Sequence, residues 1–371
     1  MGWAPRSGPA AFLQPDGLRG RWTRQMTTGT AGMGGAARTV NNGAWKRRSV
    51  MALTIAGCFA SAWAQTPAAP YPSKTVTIVV PFSAGGGVDT VARMLADKLR
   101  TSLGQPVVVD NKPGASAMLG AQAVVKAAPD GHTLLLGSAG ETAINPHVYK
   151  ERMAYKPERD LAPISLVVRV PNVLVAQNGL PVKNVEELVA YAKKNPGKLS
   201  YASSGVGNPQ HLNGELLGLL AGVKMNHVPY RGASNQLVDV AAGNVDLTFV
   251  SLAGAQAFMK AGRVKALGIT SAKRMPFAPD LPALTETPAL ASYTLENWFG
   301  LFAPAATPEP VVRKLSEAVA AALKDPAMQA RLREQGAEPA PMEPAAFRDF
   351  VRSESAKFAK IVEAAGVTPD N

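Results

Sequence analysis

Ser83-Ala84-Gly85-Gly86-Gly87, followed by Asp89, is the stretch of this 371-residue chain best suited to chemistry. It lies between an apolar, β-branched run at 75–81 and a helical pattern in which Val91, Met94, Leu95 and Leu99 share one face. The first reads as a buried parallel strand and the second as an amphipathic helix. Glycines let the backbone approach whatever sits above the strand. Free N–H groups and the positive end of the helix dipole make such a loop a place for an anion. Comparable loops follow later apolar runs: Gly137-Ser138-Ala139-Gly140, Ser203-Ser204-Gly205, Arg231-Gly232-Ala233 and Ser251.

The residue types exclude several reactions. The histidines His132, His147, His211 and His227 show no H-E-x-x-H pattern or other metal-ligand spacing. Ser203-Ser204-Gly205 with His211 nearby invites a hydrolase, but there is no G-x-S-x-G elbow. There is no G-x-x-x-x-G-K-[ST] phosphate loop. The run from Gly85 has Thr90 where a dinucleotide fingerprint needs its third glycine, and Asp89 sets a negative charge where a pyrophosphate would lie. A nucleotide-binding or hydrolytic α/β enzyme stays as the alternative. The leading expectation is a binding protein with no catalytic residue, metal or cofactor.

Strand and helix patterns alternate along the chain. Strands are expected at 107–109, 133–136, 199–202, 227–230 and 246–250, with a helix at 115–126. Asn184 with Glu187 three residues on makes a capping box. Residues 309–365 read as three helices broken near Asp325-Pro326 and Gly336. Repeated strand, Gly/Ser loop and helix specify an α/β fold whose ligands lie beyond the carboxyl ends of the strands.

Lys46-Arg47-Arg48, an apolar run at 50–60 and Ala62-Trp63-Ala64 form a secretory signal pattern, with cleavage expected after Ala64. Met26 and Met33 are candidate starts. Ile55-Ala56-Gly57-Cys58 offers a competing lipobox that would anchor the chain through Cys58, and Arg47-Arg48 resembles a weak twin-arginine signal. The full chain carries +12. Residues 1–64 hold eight basic residues and one acid, so 31 basic and 26 acidic residues remain, a net +5 over 307 residues. That is not a nucleic-acid footprint. Without Cys58 the exported part has no thiol and no disulfide, and its length suits two lobes.

Tyr71-Pro72-Ser73-Lys74, Pro81-Phe82 with Gly85-Gly86 and Asp89, and Leu103-Gly104-Gln105-Pro106 occur in order along the chain. With these pieces the chain resembles, from Tyr71 to about Val367, the Bug family, the periplasmic binding proteins of tripartite tricarboxylate transporters. The resemblance rests on them. It continues through Asn111-Lys112-Pro113-Gly114, Pro129-Asp130-Gly131-His132, Ser204-Gly205-Val206-Gly207, His227-Val228-Pro229-Tyr230-Arg231-Gly232 and Trp298-Phe299-Gly300. Two departures bear on ligand identity: Ser116-Ala117 replace glycines, and Glu141 stands where a neutral residue is common.

The resemblance implies a two-lobed periplasmic-binding-protein clamshell, each lobe a sheet flanked by helices. Lobe 1 is expected at 71–166 plus 293–367 and lobe 2 at 167–292, with chain crossings near 165–170 and 287–299. It implies a monomer that captures a small organic acid and delivers it to a membrane permease. Phe82 then walls the pocket or simply belongs to the core. Ser83, Gly85 and Gly86 give hydroxyl and amide donors, and Ala139 and Gly140 share that wall. Asp89 holds water or a ligand donor, or caps the helix. Ser203, Ser204 and Gly205 supply donors from the second lobe, and Ser251 completes the set. Arg231 pairs with a ligand carboxylate or points to solvent. His211 is structural.

Overall fold

A computed structural model of the chain describes residues 70–230 and 233–369. The leader expected at 1–64, with Met26, Met33 and Cys58, lies outside the described residues, and so does Arg231. The chain divides into units of Met1–Pro67 and Ala68–Asn371, and the described residues belong to the second. No helix among them is long and apolar enough to cross a membrane.

The β-branched run at 75–81 forms β1 (Val76–Val80), buried on both faces at the middle of three parallel strands. Its neighbours are β2 (Val107–Asn111) and β3 (Thr133–Ser138). Three antiparallel strands extend the sheet: β4 (Leu161–Val170), β10 (Asn297–Pro304) and β11 (Glu338–Pro339), giving the order β11-β4-β10-β3-β1-β2. The second sheet comprises β5 (Asn172–Gln177), β6 (Ser200–Ser203), β7 (Asn226–Pro229), β8 (Leu247–Ser251) and β9 (Val264–Ile269). Its order is β7-β6-β8-β5-β9, with β6 parallel to β7 and β8, and β5 antiparallel to β8 and β9. Only Pro171 separates β4 in one sheet from β5 in the other. The expectation of α/β lobes, each a helix-flanked sheet, agrees with this architecture.

The helices follow the apolar periodicity. Helix α1 (Gly87–Leu103) buries Val91, Leu95 and Leu99 against the first sheet, each contributing about 2 kcal/mol of burial. Gly104 ends it in the left-handed conformation, its N–H on the Arg100 carbonyl. Helix α2 (Met118–Val125) lies against the end of β1, where Gly120 leaves no room for a side chain: a Cβ there would sit 2.8 Å from the Pro81 Cα. The second sheet carries α3 (Val185–Lys194), α4 (Pro209–Ala221), α5 (Ala233–Ala242) and α6 (Leu252–Lys260). At the start of α3 Asn184 accepts from the Glu187 N–H, while the Glu187 carboxylate takes the Lys183 N–H rather than that of Asn184. The last part forms the three expected helices, α7 (Glu309–Lys324), α8 (Pro326–Glu334) and α9 (Pro344–Ala365). Phe347 of α9 seats in the space left by Gly300 of β10, whose Cβ would meet the ring at 2.2 Å. Helix α9 also packs against α4 and against the irregular helical segment at 140–148.

The helix expected from residue 115 begins three residues later. Ala115, Ser116 and Ala117 all adopt left-handed backbone, with φ of 47°, 51° and 70°. The side-chain amide of Asn145 holds the Ser116 carbonyl at 2.9 Å, and the Ser116 hydroxyl meets that of Tyr149 at 2.8 Å, which fixes the strained loop. Ser116 and Ala117 are the positions where the family resemblance expects glycine. Each non-glycine residue in this conformation costs about 1–2 kcal/mol. Ala115 is exposed, so Ala115→Gly is expected to raise stability by about 0.5–1 kcal/mol after the greater entropy of unfolded glycine is counted. A loss of stability in urea unfolding would show that the strain is absent.

Candidate functional site

Three adjacent parallel strands of the first sheet, β2, β1 and β3, end on the same edge, and the expected loops follow them. Cβ atoms built on Gly85 and Gly87 would meet nothing within 4 Å, and one on Gly86 meets only the Ser83 carbonyl oxygen at 3.5 Å. The 83–87 loop therefore faces open space. Phe82 is partly buried and packs against the first-sheet core, with its carbonyl accepting from the Asn111 side chain.

Asp89 is 2 % exposed and clasps this loop from below. Its carboxylate accepts from the Gly85 N–H at 2.9 Å, from Arg93 Nε at 2.9 Å and from Asn111 Nδ2 at 3.0 Å. Burial alone would raise its pKa. The bonds from Arg93, Gly85 and Asn111, with the Arg93 charge, outweigh burial and hold it below the usual carboxylate value. Asp89 thus stays ionised and fixes Gly85 at φ 82°. Asp89→Asn puts an amide before three donors and can accept at only one atom. It is expected to cost about 1–3 kcal/mol of stability and to loosen the 85–89 loop. Amide exchange at Gly85 measures this, and unchanged protection would refute the clasp.

At the end of β3, Ala139 and Gly140 are buried in a turn closed by the side chains of Ser138 and Glu141. The Ser138 hydroxyl accepts from the Gly140 N–H, while Glu141 accepts from the Ser138 N–H and hydroxyl, both at 2.6 Å. Glu141 has 0 % exposure, and burial pushes its pKa up to about 7 against those bonds. The Ser138-x-x-Glu141 spacing is the sequence signal that sequence reading missed.

In the second sheet, β6, β7 and β8 end together, placing Ser203, Tyr230 and Ser251 along one edge. Their polar atoms already have partners in this structure. Ser203 has 0 % exposure; its hydroxyl oxygen meets His227 Nε2 at 2.6 Å and accepts from the Gly205 N–H. The Ser204 N–H and hydroxyl both donate to the Gln210 side-chain carbonyl. The Ser251 hydroxyl caps α6 by accepting from the Gly254 N–H. A ligand that used these donors would displace Gln210 or the loop's own bonds. Beneath the loop His211 stacks on His227 with ring centroids 3.8 Å apart, and His211 Nδ1 accepts from the Gly207 N–H. Burial and the nearby His211 push the His227 pKa down to about 3.

Among the described residues the two groups of loops meet around Gly140, Asn145 and Tyr149. Gly140 lies against Pro209, where a Cβ would be 3.8 Å from the ring. Tyr149 donates its hydroxyl to the Val206 carbonyl at 3.2 Å, and Gly207 sits against Asn145 and Tyr149. Gly140 is thus brought to the 203–209 segment. No hydrogen bond joins the 85–87 loop to the 203–205 loop among the described residues.

Two helix-flanked sheets, each presenting Gly/Ser loops at the carboxyl ends of its parallel strands, define a two-lobed solute-binding protein. Residues 91–367 match the tripartite tricarboxylate transporter family receptor, and the chain belongs to that family. Solved structures agree. An R. palustris protein determined with adipate is 37% identical, with 80% of this chain and 99% of that one aligned and a TM-score of 0.74. The periplasmic binding protein BugD is 39% identical over 80% of this chain and 99% of its own, with a TM-score of 0.71. MatC from Rhodopseudomonas palustris, with bound malate, is 34% identical over 79% of this chain and all of its own, with a TM-score of 0.70.

Proposed function

We propose that this protein is a periplasmic receptor that captures a small di- or tricarboxylate between its lobes and hands it to a membrane permease without altering it. The observation that carries this reading is the open space above Gly85 and Gly87, at the carboxyl end of β1 and the N-terminal, electropositive end of α1. The adipate and malate bound by two relatives are acids of the kind such amides hold. Phe82, Ser83, Gly85, Gly86, Ala139 and Gly140 form one wall of the proposed site. Ser203, Ser204, Gly205 and Ser251 form the other, with Asp89 as the clasp that shapes the first loop. The boundary expected at 166/167 would cut β4, so we place the lobes at 71–170 plus 293–367 and 172–292. The first crossing then falls at Pro171, because β4 stays in the first sheet to Val170. One chain supplies both walls, so the receptor works as a monomer.

The hydrolytic reading has a Ser203–His227 pair at 2.6 Å, but its geometry favours binding. Ser203 is sealed from solvent, and His227 Nδ1 has no hydrogen-bond partner to orient the ring. Malate, adipate and citrate are expected to raise the melting temperature of the purified protein. A ligand at 100 times its Kd adds about 2.7 kcal/mol to the folded state. Calorimetric titration then gives stoichiometry and affinity, and recovery of the acid unchanged tests the absence of turnover. No shift with any carboxylate, or conversion of one, would overturn the reading.

A further inference from the structure

A second cavity lies apart from the loops above. It has a volume of about 440 Å³ and sits between the 142–163 segment, β10 and α9. Its apolar surface comes from Met153, Tyr155, Leu161, Phe302 and Val351. Lys150, Lys156 and Arg348 stand at its edge, exposed and without an ion pair among the described residues. The acids at the rim are Glu151 and Glu158, and Glu158 is already paired with Arg352 at 3.0 Å. The rim therefore keeps a positive excess. Lys150 also holds a left-handed backbone, φ 45°, a strain that proteins concentrate at working surfaces.

An apolar floor beneath unpaired cations has a specific complement. We propose that this cavity binds an amphipathic organic anion: an aryl or short acyl group on the floor, with a carboxylate or sulfonate at Lys150, Lys156 and Arg348. The volume falls within the range of small-molecule sites, about 300–1,000 Å³. The chemistry differs from that of the cleft, which offers backbone amides to small polar acids. None of the 82–89, 139–140 or 203–205 loop residues lines the cavity. The inference therefore stands or falls independently of the cleft ligand.

The probe is 8-anilinonaphthalene-1-sulfonate, titrated by fluorescence into the folded protein. One saturable site is expected, weakening as salt screens the rim. Lys156→Gln with Arg348→Gln leaves the apolar floor intact and replaces two exposed side chains, so the variant folds. It is expected to weaken binding about tenfold. Val351→Trp fills the cavity and is expected to abolish the saturable signal, with circular dichroism reporting its fold. Saturating malate or adipate is expected to leave probe binding unchanged. Absence of saturable binding, affinity unchanged in the Lys156/Arg348 variant, or displacement by the dicarboxylates would each overturn the assignment.

Discussion

Replacing Glu141 with Gln is expected to raise stability by about 3 kcal/mol at pH 8 and to change it little at pH 4. The carboxyl is wholly buried in the turn after β3, with a folded pKa of about 7 against an ordinary 4.5. Below pH 4.5 it is protonated in folded and unfolded chains alike. From pH 4.5 to 7 the folded chain keeps a proton that the unfolded chain has released, so this group's contribution falls as pH rises through that window. Gln keeps the acceptor for the Ser138 N–H and offers an N–H to the Ser138 hydroxyl oxygen, and it removes the buried charge. His227 acts in the opposite sense. Its pKa is depressed to about 3, so its contribution is present above its ordinary 6.5 and is lost as pH falls towards 3. The two slopes oppose each other between pH 4.5 and 6.5, and Glu141→Gln should expose the rising one. Urea unfolding from pH 4 to 8 measures this, and a variant profile parallel to the parent's would refute it.

A large functional effect is expected from Gly207→Ala. Gly207 has φ of 74°, where alanine costs about 1–2 kcal/mol. Its Cβ would also lie 2.9 Å from Asn145 Oδ1 and 3.3 Å from Tyr149 Cε2. Overpacking of this kind adds about 1–3 kcal/mol. Asn145 cannot simply withdraw, because its amide holds the Ser116 carbonyl of the left-handed loop. The methyl group therefore wedges the two groups of loops apart where Tyr149 meets Val206. Affinity for the carboxylate is expected to fall at least tenfold while helix content is kept. Titration calorimetry with circular dichroism decides it, and parental affinity would mean that this bridge plays no part in holding the ligand.

Most of the fold was legible because its signals are local. The strand, glycine loop and amphipathic helix at 76–103 came out as read, as did the breaks near Asp325-Pro326 and Gly336. β4, β5 and the antiparallel insertion of β10 between β3 and β4 were not foreseen. An apolar run such as 161–170 does not state its direction or its partner, since pairing across more than a hundred residues leaves no periodic mark. The helix start at 115 was misplaced for a tertiary reason: Asn145 and Tyr149 pin Ser116 in a conformation its own propensity opposes. In the site, the placement of the loops at strand ends was readable. That the Ser203 and Ser204 hydroxyls are engaged with His227 and Gln210, and that the Ser251 hydroxyl accepts from the Gly254 N–H, was not, because those partners depend on how the loops fold back.

The single residue between β4 and β5 has a mechanical meaning. Val170 and Asn172 stay within about 7 Å of each other however the sheets are oriented. The return connection, from Ile269 to Asn297, is held as far as Tyr293, which is buried and donates its hydroxyl to Asn213 of α4, so only a few residues are left to cross there too. If the lobes close as proposed, Pro171 and the short crossing at 294–296 are expected to be the fulcrum, with the distal ends of the sheets as the lever arms. Fluorophores placed beside Pro171 would register almost no change in separation when the ligand enters. A pair on Leu119 and Val238, both exposed and each on a helix of a different sheet, would ride those arms and report the swing.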